Sequence, residues 1–224
     1  MPRGTELARG ESRVGMGATS EGREQRIGPR ILWTRWAALG VYVAAIYASL
    51  PVAPRIGLRF LRTGVGNWLL GPGLPLVVLA GAAGLLLTLR RHRAPARAYA
   101  ALAVAAAGYA LAFSWLSAHH LERTHLPEYG IAAWLAWRAV APLVPGPLAG
   151  YAAGAALAAA IGYGDELLQG IVPGRYYDIR DVAMNALGAV LGIIVIAAAR
   201  AGERRHGVVG WDASAKFVTR DPVP

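Results

Sequence analysis

Long apolar segments separated by short polar breaks fill this sequence from residue 31 to residue 200. A helix rises about 1.5 Å per residue and a hydrocarbon core is about 30 Å thick, so segments of this length can cross a membrane. We predict spans at 31–50, 69–89, 98–117, 129–145, 147–168 and 178–200. The mean hydropathy of +0.39 supports this class over a water-soluble domain. The sequence therefore predicts an all-α, polytopic membrane helix bundle of about six transmembrane helices.

The basic residues are distributed unevenly among the predicted loops. With the N-terminus inside, the cytoplasmic segments are the tail to residue 30, the loop 90–97 and the tail from Arg200, which hold 6, 4 and 5 Lys and Arg residues. The opposite loops hold three, one and two. Because cytoplasmic loops carry the excess of Lys and Arg, this count predicts that both termini are cytoplasmic. The net charge of +10 thus indicates contact with membrane lipid headgroups and no nucleic-acid partner.

The ends of the chain and the loop after the first span differ from the apolar segments. Residues 1–30 are polar and basic and predict a disordered tail, and residues 201–224 predict a cytoplasmic tail. Residues 31–97 hold two spans joined by a basic segment with Arg55, Arg59 and Arg62. This segment fits an amphipathic helix lying on the membrane surface and fits a plain basic loop equally well.

Polar residues cluster at 164–192, beside and within apolar segments, where unpaired polar groups are costly. The cluster consists of Asp165, Glu166, Gln169, Arg175, Asp178, Asp181 and Asn185. In a helix that begins at Asp178, the last three share one face with Gly188 and Gly192. The two glycines predict close approach of a neighbouring helix.

A second polar patch, at 119–129, precedes the fourth span. It contains Glu122, His125, Glu128 and Tyr129. Under the predicted topology it emerges on the same side of the membrane as the first cluster. No acidic residue lies between Glu24 and Glu122, whereas six of the thirteen lie within 122–181. We therefore expect one acidic cavity at the extracytoplasmic face, enclosed by the third to sixth helices.

Several chemistries fit these residues. His125 and Glu166 are candidate catalytic groups, because a His and carboxylates in apolar surroundings can exchange protons near neutral pH. The same groups could instead cap and cross-link helix ends. Arg175 follows a Pro-Gly turn and could bind an anionic ligand or pair internally with Glu166 or Asp178. His and carboxylate ligands leave a metal site open, but no spacing matches a metal signature, so we assign none. Arg138, within the fourth predicted span, should pair or extend towards a polar surface.

The order of these residues resembles the VanZ-like family of bacterial integral membrane proteins. The resemblance rests on E-x-x-Q, P-G-R and D-x-x-D-x-x-x-N-x-x-G-x-x-x-G, which run from Glu166 to Gly192, and on E-x-x-H-x-x-E-Y-G from Glu122 to Gly130. It covers residues 98–200, a four-helix domain, and departs from the family at Arg123 and Thr124, where Lys is frequent before the His. It implies location in the bacterial cytoplasmic membrane and a link to glycopeptide (teicoplanin) resistance, with no established biochemical activity.

Three functions follow from the residues and the resemblance together. The first is recognition of a cell-envelope component or glycopeptide. The second is an enzyme acting on a lipid-linked substrate, and the third is a non-catalytic scaffold or transport-like protein. Cofactors and oligomeric state stay open. The candidate ligand-binding residues are Glu122, Glu128, Tyr129, Gln169, Arg175, Asp178, Asp181 and Asn185.

Overall fold

A computed structural model of the chain describes residues 28–203. The predicted tails fall almost entirely outside these residues, at 1–27 and 204–224. Within the described part, every regular element is helical, and the predicted all-α class is confirmed. The helices are α1 (Pro29–Ser49), α2 (Ala53–Leu61), α3 (Gly64–Trp68), α4 (Leu74–Arg91), α5 (Ala96–Trp115), α6 (His125–Val140), α7 (Gly146–Gln169) and α8 (Ile179–Glu203).

Four described segments are long and apolar enough to cross a membrane. They are Pro29–Ser49, Gly64–Arg91, Ala96–Trp115 and Ile179–Gly202. Helices α6 and α7, which correspond to the fourth and fifth predicted spans, are not in this set. The architecture is that of a multi-pass membrane protein and is compatible with about six spans.

Helix α6 is the centre of the bundle. It has only 16 residues and is followed by a 3-10 turn at Ala141–Leu143, so the predicted span 129–145 begins and ends differently in the structure. It packs against α1, α7 and α8, and Tyr129, Ala132, Ala133, Ala136 and Ala139 are fully buried. Helix α6 is covered by these three helices on most of its faces and leaves Ile131 and Trp134 exposed.

The basic segment after α1 is helical and is not a plain loop. Helix α2 exposes Arg55, Arg59, Ile56 and Leu58. The chain then continues through α3 and a π-helical turn at Leu69–Gly73 into α4. Pro72 lies in this turn. Because proline cannot donate a backbone hydrogen bond, it favours such an irregular turn over a regular helix.

Arg123, which the sequence places in a loop, is buried and holds this irregular turn. Its guanidinium donates to the carbonyl oxygens of Gly71 at 2.8 Å, Leu116 at 2.9 Å and Phe113 at 3.3 Å. These carbonyls belong to the π turn and to the end of α5, where helical acceptors lack partners. One side chain therefore joins the second and third apolar segments at one end of the bundle.

Glycines set the distance between α8 and its neighbours. A Cβ on Gly188 would lie 2.6 Å from the carbonyl oxygen of Leu126, and one on Gly192 would lie 2.7 Å from Cα of Gly130. A Cβ on Gly162 in α7 would lie 2.6 Å from Cβ of Asn185. The predicted close approach at Gly188 and Gly192 is thus confirmed, and α6 is the helix that approaches.

Candidate functional site

The two polar patches meet at one end of the bundle, around a cavity of about 470 Å³. Its wall includes the end of α1, the start of α2, the loop before α6, the end of α7 and the loop before α8. The predicted site residues in the wall are Glu122, His125, Glu128, Gln169, Arg175, Asp178 and Asp181. Asp165 also lines it.

A hydrogen-bond network closes the end of α7. Gln169 Nε2 donates to Glu166 Oε1 at 2.5 Å and to Asp165 Oδ2 at 3.3 Å, and Gln169 Oε1 accepts a bond from Arg175 Nη2. The other oxygen of Glu166, Oε2, accepts the backbone N–H of Asp178 at 3.2 Å. The network therefore joins the end of α7 to the loop that leads into α8.

Asp178 caps the start of α8, which begins one residue later than predicted. Its Oδ1 accepts the backbone N–H of Arg180 at 2.8 Å, and its Oδ2 accepts Arg180 Nη2 at 2.9 Å. These bonds hold the pKa of the Asp178 carboxyl below its ordinary value. Arg180 also lies 3.8 Å from Glu122, so it links the two patches across the cavity mouth.

His125 and Asp165 occupy the cavity from opposite helices. His125 Nε2 lies 3.9 Å from Asp181 Oδ2, and the imidazole stacks on Tyr129 with 6.4 Å between ring centroids. Asp165 is 2% exposed, and its Oδ1 has no hydrogen-bond partner among the described residues. The Tyr129 hydroxyl lies near Asp165 and interacts with it, although neither the hydroxyl nor Asp165 Oδ1 forms a hydrogen bond of regular geometry among the described residues.

Three predicted site residues lie outside the cavity wall. Glu166, Tyr129 and Asn185 are each 0% exposed. Glu166 has both oxygens engaged below the wall, and Asn185 Nδ2 donates to the carbonyl of Gly162 at 3.1 Å. In this arrangement they position the helices that carry the wall, and a ligand in the cavity would not touch them directly.

The partner of Arg175 is neither Glu166 nor Asp178, the two carboxylates that the sequence offered for internal pairing. Arg175 bonds the amide of Gln169, and within residues 28–203 no carboxylate oxygen lies within 4 Å of it. The Gln169 amide thus accepts from Arg175 through its oxygen and donates to Glu166 and Asp165 through its nitrogen. Arg138 lies in the last turn of α6, with its guanidinium 4.7 Å from the centre of the Trp134 ring.

Residues in and beside α1 and α2 complete the cavity, and no sequence pattern predicted them. Ile46 and Ser49 from α1, Leu50 directly after it, and Pro54 and Leu58 from α2 form part of the wall. Two α1 tyrosines fix α1 against the bundle. Tyr42 donates to the carbonyl of Glu128 at 3.0 Å, and Tyr47 donates to that of Ile161 at 2.7 Å. Aromatic residues in an apolar span are too common to have predicted these two contacts.

The wall can bind a ligand through its carboxylates. Beside them lies the pair formed by His125 and Asp181. In residues 28–203 no three His, Asp or Glu side chains converge in a way that could hold a metal ion. The arrangement can bind a polar or cationic group and can accept a proton at His125.

Residues 123–200 match the family model described as VanZ/LLP1. No curated protein and no solved structure gives a significant match to the chain. The family match begins at Arg123 and includes α6, α7 and α8, which carry most of the polar wall. It excludes α1 and α2, which supply most of the apolar wall.

Proposed function

This chain is VanZ-like over residues 123–200, and from that premise we propose that it recognises a cell-envelope component in the cavity at one end of the bundle. One observation carries the proposal: two polar patches that are about 40 residues apart in sequence line a single cavity of about 470 Å³. Cavities of this size commonly hold small molecules or the headgroup of a larger one.

The charge distribution supports an extracytoplasmic position for the cavity. The opposite end of the bundle carries the α4–α5 connection with Arg90, Arg91, Arg93 and Arg97. By the positive-inside rule that connection is cytoplasmic, so the cavity faces the envelope. The glycopeptide-resistance role implied by the resemblance requires access to this side.

Susceptibility of a bacterial host to a glycopeptide and to envelope stress tests the proposal. We compare cells without the gene, with the gene, and with Asp165→Asn or Glu128→Gln, which change the wall without changing side-chain shape. Tyr163→Phe is the matched control, because Tyr163 is exposed on α7 and lies outside the wall. Protein abundance is measured in every strain. Equal susceptibility in all strains would reject the proposal.

A second candidate, a membrane-embedded enzyme for a lipid-linked substrate, is supported by the 3.9 Å separation of His125 and Asp181. A carboxylate beside an imidazole can orient it and can stabilise the positive charge that the ring gains when it takes a proton as a general base. In this reading Glu166 positions the wall. An enzyme predicts that His125→Asn abolishes the cellular phenotype while the purified variant still binds its ligand. Loss of binding and phenotype together would favour recognition alone.

A further inference from the structure

The cavity contains more acidic than basic groups. Its wall holds five carboxylates, on Glu122, Glu128, Asp165, Asp178 and Asp181. Arg180 contacts two of them, Asp178 and Glu122, and its single positive charge can balance only one. His125 lies beside Asp181.

Glu128 and Asp165 are the carboxylates of this wall without a direct ion pair among the described residues, although His125 lies near both and Arg175 near Asp165. Within residues 28–203, neither has a basic nitrogen within 4 Å. Asp165 is the more demanding of the two, because it is 2% exposed and its Oδ1 has no hydrogen-bond partner in the described part of the chain. Burial of an unpaired carboxylate is unfavourable, so the cavity is complementary to a cation that brings its own hydrogen-bond donors.

The other side of the cavity is apolar. The same wall that holds the carboxylates also contains Ile46 of α1, Leu50 directly after α1, Leu58 of α2 and Leu121 of the α5–α6 connection. Helix α2 rests on this connection, since a Cβ on Gly57 would lie 2.9 Å from Leu121. A ligand that fills the cavity therefore meets carboxylates on one side and aliphatic groups on the other.

We propose that the cavity binds a primary ammonium group carried on an amphiphile, with Asp165 and Glu128 holding the ammonium and the α1–α2 wall contacting its apolar part. This rests on the proposed function, because it names a ligand class for the same cavity. A primary ammonium offers three N–H donors, which suits carboxylates on two different helices. Arg175 forms no direct ion pair with either carboxylate, because its guanidinium bonds Gln169.

Two probes with the same chain length separate the ammonium from its apolar part. Binding of n-octylamine and of n-octanol to the purified full chain in detergent is measured at pH 7 by the increase in unfolding temperature, since a ligand that binds only the folded protein stabilises it. We expect n-octylamine to bind at least about tenfold more tightly than n-octanol. Equal binding of the two would overturn the proposal.

The source of the amphiphile is distinguished in nanodiscs. Protein in phosphatidylethanolamine nanodiscs is titrated with n-octylamine and compared with protein in phosphatidylglycerol nanodiscs. If n-octylamine binds more weakly in phosphatidylethanolamine than in phosphatidylglycerol, the phosphatidylethanolamine headgroup competes with it for the cavity and is the natural occupant. Equal n-octylamine binding in both lipids identifies a separate amphiphilic amine, and binding in neither lipid contradicts the proposal.

Asp165→Asn removes the charge and keeps an acceptor for Gln169, so the α7 network can persist. It should weaken n-octylamine binding at least about tenfold and leave n-octanol binding unchanged. Glu128→Gln gives the same test from α6 if the first variant does not fold, and Tyr163→Phe is the control. Unchanged n-octylamine binding in the folded variants would reject the assignment. A susceptibility phenotype without ammonium binding would leave the proposed function in place with another ligand, whereas ammonium binding without a phenotype would reject the proposed function alone.

Discussion

Glu166 Oε2 accepts a hydrogen bond of 3.2 Å from the backbone N–H of Asp178, which ties the end of α7 to the start of α8 across their connecting loop. Its other oxygen holds the Gln169 amide, and that amide in turn accepts from Arg175. The carboxylate at the base of the cavity therefore orders both sides of the loop. This relationship makes Glu166 a positioning residue in the binding proposal.

Glu166→Ala should lower the free energy of unfolding by about 1–3 kcal/mol, because it leaves a buried amide and a backbone N–H without their acceptor. Thermal unfolding in detergent measures the change. Leu167→Ala, half-exposed on the same helix, is the control and should have a much smaller effect. Equal effects of the two substitutions would show that the Glu166 network contributes no net stability.

Gly188→Ala should destabilise the bundle by about 1–3 kcal/mol, since the new methyl group would meet the backbone of α6 and force the helices apart. Gly81→Ala is the matched control. Gly81 lies within α4, and a Cβ there has no neighbour within 4 Å. The control should be neutral or stabilising by up to about 1 kcal/mol, because Ala favours a helix over Gly. Equal free energies of unfolding for Gly188→Ala and Gly81→Ala would contradict the close packing of α8 on α6.

Arg123→Lys should reduce the yield of folded protein and lower stability by about 2 kcal/mol. A single ammonium cannot reach three carbonyls with the geometry of a guanidinium, so buried acceptors lose their donors. Arg59→Lys, on the exposed face of α2, should change stability by less than about 0.5 kcal/mol. Recovery of folded protein after purification and its unfolding temperature provide the measurement, and wild-type values for Arg123→Lys would contradict the role given to this residue.

The Asp178–Arg180 contact predicts a pH-dependent stability. The folded pKa of Asp178 lies below its ordinary value of 3.8 because Arg180 hydrogen-bonds the carboxylate. Its stabilisation is therefore fully present above the unfolded pKa and is lost as the pH falls through the folded pKa. Unfolding temperatures of wild type and Arg180→Gln should differ by a constant amount above pH 5 and converge below about pH 4. A difference that is independent of pH would exclude this contact as its source.

Cysteine labelling tests the side of the membrane on which the cavity lies. The chain contains no cysteine, so single substitutions give an unambiguous signal. Ser117→Cys and Tyr176→Cys, in the two loops beside the cavity, should react with an impermeant maleimide in intact cells. His92→Cys, in the α4–α5 connection, should react only after permeabilisation. If only one of Ser117→Cys and Tyr176→Cys reacted in intact cells, the two polar patches would lie on different sides of the membrane, which would contradict the structure.

Much of the fold could be predicted from residue patterns alone. Apolar length predicted the helices, and the residue pattern predicted a helix that begins near Asp178, one residue before the observed start of α8. Glycine spacing predicted close packing at Gly188 and Gly192. These features depend on local periodicity and on the cost of unpaired polar groups in hydrocarbon, so they can be predicted without knowledge of the tertiary contacts.

The sequence by itself determined that this is a helical membrane protein with a cluster of polar groups that must satisfy one another. Only the tertiary structure decided which groups face the cavity. It placed Glu166, Tyr129 and Asn185 behind the wall and brought Ile46, Leu50 and Leu58 into it. The physical reason is that periodicity assigns a residue to a face of its own helix, whereas exposure depends on which other helix covers that face. Arg123 shows the same limit, because its three acceptors lie on two other elements.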